Sequence, residues 1–156
     1  MLKINVLLFI TCFLLLSACK TKEEQGLEGM WSIDVIHYKT FDIRRCLAVN
    51  VLSFEENTCT VPTLLSCDGL EQSALLFLDK PEDPNSWSIR KSKDGLLLNI
   101  VSQSKIFNGN HSLKFVRDDE NKLLGIEFTS DSLYLLCHKG LFDYDRNYSL
   151  VKKLTE

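Results

Sequence analysis

The chain reads as an all-β domain, an antiparallel meander of about eight to ten short strands. Three observations predict this. Apolar and polar residues alternate with a period of two along most of the sequence after Leu27. Turn-forming residues punctuate the alternating runs at fairly even spacing. No amphipathic stretch of about 10–15 residues separates the runs, which excludes a parallel α/β architecture. A meander of this kind closes into a β-barrel or folds as a β-sandwich; the barrel is the expectation and the sandwich the alternative.

Gly29–Tyr38 alternates with Trp31, Ile33 and Val35 on one face, and His37 falls on that face too. Leu47 to Phe54 is rich in Val and Leu and ends at the turn Glu55-Glu56-Asn57; Thr58 to Val61 follows and is stopped by Pro62. Residues 63–79 are hard to read, and Leu70 to Leu78 suits a strand or one or two helical turns equally. Pro81 and Pro84 bracket a loop, and Trp87 to Lys91 alternates. Lys93-Asp94-Gly95 is a hairpin signal, since Asp-Gly supplies the positive φ that a tight turn needs. Leu96 to Val101 is apolar enough for a buried strand. Asn108-Gly109 marks a further turn before His111 to Val116, where His111 shares a face with Leu113 and Phe115. Asp118–Asn121 is a polar turn, Leu123 to Thr129 a strand, Ser130-Asp131 a turn, and Leu133 to Cys137 a strand. Tyr148 to Val151 suits a last one.

The N-terminus carries an address. Lys3 precedes an apolar run, Val6 to Leu16, which ends in small residues before a cysteine. A charged start, a short apolar core and a small-residue cleavage site make a secretory signal peptide. The stretch Val6–Ala18 falls short of the ~20 residues of a spanning helix. Leu16-Ser17-Ala18-Cys19 resembles the lipobox of bacterial lipoproteins, which implies cleavage before Cys19, lipidation of that cysteine, and an outer-membrane position facing the periplasm or the cell surface. Residues 1–18 are then the signal peptide, 19–27 the lipidated cysteine and a polar tether, and 28–156 the barrel domain. Lys22-Glu23-Glu24 resembles the surface-export signal of Bacteroidetes lipoproteins.

Leu27-Glu28-Gly29-Met30-Trp31 opens the first strand directly after the tether. Gly-x-Trp at this place resembles the opening of lipocalins, above all the lipocalin-like lipoproteins of Bacteroidetes. The resemblance implies an up-and-down barrel whose closed end is crossed by Trp31 and whose mouth holds a small apolar ligand. Trp31, Trp87, Phe115 and Phe128 are the expected lining or floor, although such barrels are also filled by their own side chains. The Thr-Asp-Tyr signature of lipocalins is missing, Asp143-Tyr144 lies too near the C-terminus to replace it, and Arg146 is the candidate for the barrel-closing arginine.

The chain of 156 residues carries a formal charge of −3 and has no basic block, so nothing supports nucleic-acid binding. Of six cysteines, Cys12 falls in the signal and Cys19 is the lipid site. Cys46, Cys59, Cys67 and Cys137 remain as disulfide candidates in an oxidising compartment, with three possible pairings. Cysteine and histidine spacing gives no metal site. No catalytic motif or cofactor fingerprint is present. His37 and His111 read as core histidines. His138 beside Cys137 is poorly placed to share a proton with it, since neighbours in a strand point to opposite faces. Glu127 falls on the face opposite Ile126 and Phe128, and Asp118-Asp119-Glu120 reads as a solvated turn. The expectation is therefore a membrane-anchored, non-enzymatic binding module for a small apolar ligand. The rival is a protein-interaction lipoprotein without a cavity: an assembly factor, an inhibitor or an immunity protein. A hydrolase is a distant third.

Overall fold

In the computed structural model, residues 20–65 and 85–140 are described. Nine strands follow a six-residue helix, α1 (Lys22–Leu27): β1 (Gly29–Tyr38), β2 (Phe41–Asp42), β3 (Val51–Glu55), β4 (Thr58–Thr60), β5 (Asn85–Ser92), β6 (Gly95–Val101), β7 (Gly109–Arg117), β8 (Leu123–Thr129) and β9 (Leu133–Lys139). Every strand pairs antiparallel with its neighbour, and β1 also pairs with β9 from Ser32↔His138 to Tyr38↔Leu133. That last pairing turns the meander into one closed barrel of eight strands and rules out two separate sheets. The two-residue β2 is an appendage on the free part of one β1 edge.

Closure positions everything else. Because strands alternate in direction, the start of β1 and the β3–β4, β5–β6 and β7–β8 turns gather at one end. Here Gly95 supplies the positive φ that the Asp-Gly signal anticipates. The β1–β2 turn, the segment after β4, residues 102–108 and the β8–β9 turn gather at the other end. Inner-facing Trp31, Ile33, Leu52, Phe54, Leu98, Ile100, Ile126, Phe128, Leu135 and Cys137 form one continuous core. At about 25 cal/mol per Å² of apolar surface, a core of this kind is the main stabilising term.

Three expectations are corrected. The β1–β9 register slips between Ile33 and Val35, so one extra residue sits in β1 there. The slip carries Ile36 inward opposite Leu135 and leaves Val35 and His37 on the outer face, where His37 is exposed. Residues 22–27 are not a loose tether. Thr21 caps α1 through its hydroxyl, 3.2 Å from the Glu24 N–H, while the Glu24 carboxylate accepts from the Thr21 N–H at 2.8 Å. Leu27 is fully buried against the barrel. Finally, the run from Leu47 is strand only from Val51; Leu47 instead makes an isolated antiparallel bridge with Leu64. The readings of Leu70 to Leu78, Tyr148 to Val151 and Arg146 lie outside the described residues.

Candidate functional site

The gathered turns and α1 close one end. Trp31 is fully buried, and its Nε1–H donates to the Leu27 carbonyl at 2.6 Å, tying the first strand to the helix. Lys139, at the end of β9, places its ammonium 5.4 Å from the centre of the Trp31 ring and donates to the Gly26 carbonyl at 3.4 Å. The Phe115 ring lies so close under α1 that a Cβ on Gly26 would meet it at 3.4 Å. Lys91 pairs with Glu23 at 3.0 Å, and Lys20 pairs with Glu28. The helix is thus fastened from several sides, which a lone six-residue helix requires.

The other end is stopped by side chains from loops. Residues 102–108 fold back on themselves: the Ser102 N–H donates to the Asn108 side-chain oxygen at 3.0 Å, and the Phe107 and Asn108 N–H groups both reach the Ser104 carbonyl. This turn drives Ile106 and Phe107 into the barrel, where both are buried. The Asn-Gly signal thus marks the start of β7, preceded by a longer inward-folded loop.

Beneath that loop the apolar interior holds two polar side chains. His111 is 1% exposed, and its Nε2 lies 2.9 Å from the Phe107 carbonyl. A carbonyl only accepts, so Nε2 carries the proton and Nδ1 is a bare acceptor when the ring is neutral. Burial pushes the imidazole below its ordinary value, only partly opposed by the bond to Phe107, and so keeps it neutral. Its ring meets the edge of Phe128 at 5.4 Å. Trp87 is 6% exposed and packs edge-on against Phe54 at 5.5 Å. Among the described residues His111 Nδ1 and Trp87 Nε1 have no hydrogen-bond partner.

A second polar group lies outside the barrel wall. The slip in β1 puts Asp34 beside His138 of β9, with Nδ1 2.9 Å from both carboxylate oxygens and side chains only 4% and 7% exposed for His138 and Asp34. Burial raises the Asp34 carboxyl above its usual range, while His138 and the Arg44 charge pull it back. Nδ1–H therefore donates to the carboxylate, and the buried Nε2 has no partner among the described residues. This is the geometry of an oriented imidazole. The nearest hydroxyl in register, Ser32, is directed elsewhere: its Oγ donates to the Gly140 carbonyl at 2.7 Å. Among the described residues His138 meets no nucleophile, and no three His, Cys, Asp or Glu groups converge as a metal site needs.

The structure brings Trp31, Trp87, Phe115 and Phe128 together on the inner face, Trp31 and Phe115 at the closed end, Trp87 against Phe54 and Phe128 beside His111. Cys59 and Cys137 are free and buried on separate strands, so they are removed from the set of bridged cysteines. Burial pushes the Cys59 thiol up to about 12 and that of Cys137 well above its ordinary value, which makes both inert. Cys46 is disulfide-bonded; Cys67 and Cys19 lie outside the described residues. Glu127 faces outward and pairs with Lys114 at 3.1 Å, and Asp118 accepts from the Glu120 and Lys122 N–H groups as a turn residue. Comparison with known proteins finds no matching family model, no matching curated protein and no matching solved structure.

Proposed function

We propose that the protein is a lipid-anchored, non-enzymatic envelope lipoprotein whose lipocalin-like barrel binds a small, largely apolar molecule bearing a polar group. The observation that carries this reading is the pair of unpartnered polar atoms, Trp87 Nε1 and His111 Nδ1, in an otherwise apolar interior. Each such orphan costs about 1–3 kcal/mol, which a bound polar group offsets. The stopper over them, Ile106 and Phe107, comes from a loop and not from the wall, so it is the part best able to yield to a ligand.

Anchoring rests on the lipobox and Cys19. Lys20 pairs with Glu28, and Thr21 caps α1, so a lipid on Cys19 leaves almost no free tether. The closed end then rests near the outer membrane and the stopped end faces away from it. Glu23 and Glu24 are engaged by Lys91 and Thr21, which favours a structural role for them over a free export signal.

One observation favours the interaction reading. Phe41, Val49, Leu65 and Val101 are exposed on segments around the stopped end, as a docking surface for another envelope protein would be. Native mass spectrometry of the protein purified gently from its host's envelope separates the two. A small molecule that is retained and lost on organic extraction supports the ligand reading. A bare barrel with a stoichiometric protein partner overturns it in favour of the rival.

A further inference from the structure

We infer that the barrel interior selects a neutral, hydroxyl-bearing apolar molecule, such as a long-chain alcohol or a glycerol monoester, over the carboxylate of the same chain length. This rests on the ligand-binding reading above and names the chemistry of its ligand. Trp87 and His111 lie on β5 and β7 with β6 between them: Trp87 pairs with Ile100, Ile100 with Gly109, and His111 sits one inward position further along β7, opposite Leu98. At about 4.8 Å between strands and about 3.4 Å per residue, the two backbones stand roughly 12 Å apart, and both side chains project inward from there. Trp87 Nε1–H can only donate. His111 Nδ1, with Nε2–H committed to the Phe107 carbonyl, can only accept. The group that satisfies both must accept one hydrogen bond and donate another, which a hydroxyl or a pair of adjacent hydroxyls does.

A carboxylate accepts from Trp87 but has no proton to give His111, and its charge would face a lone pair in a low-dielectric interior. Among the described residues the cations in inner-face register, Lys91, Arg117 and Lys139, are at the closed end and engaged by Glu23, by the Asn121 carbonyl and the Phe115 ring, and by Trp31 and Gly26. An alkane leaves both atoms orphaned. The apolar tail takes the space that the Ile106 and Phe107 side chains fill, between the aromatic walls of Phe54 and Phe128, while the Phe107 carbonyl keeps the His111 Nε2–H.

Residues 20–156 hold α1 and every strand of the barrel, and binding to them is measured at pH 8 with hexadecanol, monopalmitoylglycerol, palmitate and hexadecane. The alcohol or the glycerol ester is expected to bind at least about tenfold more tightly than palmitate or hexadecane. His111→Phe should abolish that preference while hexadecane still binds, and Trp87→Phe serves the same purpose if the histidine variant does not fold. Palmitate binding as tightly as the alcohol, or hexadecane doing so, overturns the inference and leaves the barrel a ligand binder. Binding by none of the four overturns both.

Discussion

At the scale of single residues, two buried histidines in different settings set the behaviour of the barrel. Asp34 and His138 are separated by 104 positions in sequence and lie almost wholly out of solvent. Removing one member of a buried, hydrogen-bonded pair strands the other, so Asp34→Ala should cost about 3–5 kcal/mol by chemical denaturation. A loss under ~1 kcal/mol would mean the pair is solvated and not a structural clasp. His111 acts through pH. Its buried ring resists a proton that the unfolded chain accepts, so the unfolded state binds more protons and stability falls as pH drops below about 6.5. Asp34 runs the other way. Its raised carboxyl favours the folded state on acidification, but only near the carboxylate range around pH 4, below the His111 window. Thermal melts from pH 7.5 to 5.5 should therefore show falling stability in the natural chain and a flatter profile in His111→Phe. Equal slopes in the two proteins would remove His111 as the cause.

At the scale of elements, the closed end is built on Trp31. Its indole fills the barrel floor, bonds Leu27 and carries Lys139 on its face. Trp31→Ala should cost about 3–5 kcal/mol, with loss of protection of the α1 amides in hydrogen exchange. Retained α1 protection would show that the ion pairs alone hold the helix. Much of this level was legible in the sequence. The bounds of β1 and the cores of β5 to β9 follow from alternation and from Asp-Gly and polar turns, because each inward residue meets the same apolar interior. The faces of the second half of β1 were not legible. A one-residue slip against β9 reverses Val35, Ile36 and His37, and it is specified by a partner strand about a hundred residues away. The same slip creates the Asp34–His138 pair, so that site had no local signal. The capping box of α1, Thr21 followed by Glu24, was a readable signal hidden among residues that otherwise look like a tether. The loop carrying Ile106 and Phe107 was hidden differently: Asn108-Gly109 looks like a two-residue turn, and only the Ser102–Asn108 bond reveals the larger inward fold.

At the scale of the whole molecule, closure of β1 onto β9 removes every long edge and creates one interior, fastened at one end by α1 and stopped at the other by a loop. We propose that this interior is a compartment for a ligand and not only a core. The chain has two tryptophans, and their indole N–H groups differ in the one respect that matters: Trp31 donates to Leu27, while Trp87 has no acceptor among the described residues. The most direct measurement is the two indole N–H signals in a proton–nitrogen correlation spectrum, assigned with Trp87→Phe, during titration with a lipid extract of the host envelope. A ligand compartment predicts that the Trp87 signal shifts downfield to saturation as it gains an acceptor while the Trp31 signal stays in place. A Trp87 signal that does not move throughout the titration would contradict it.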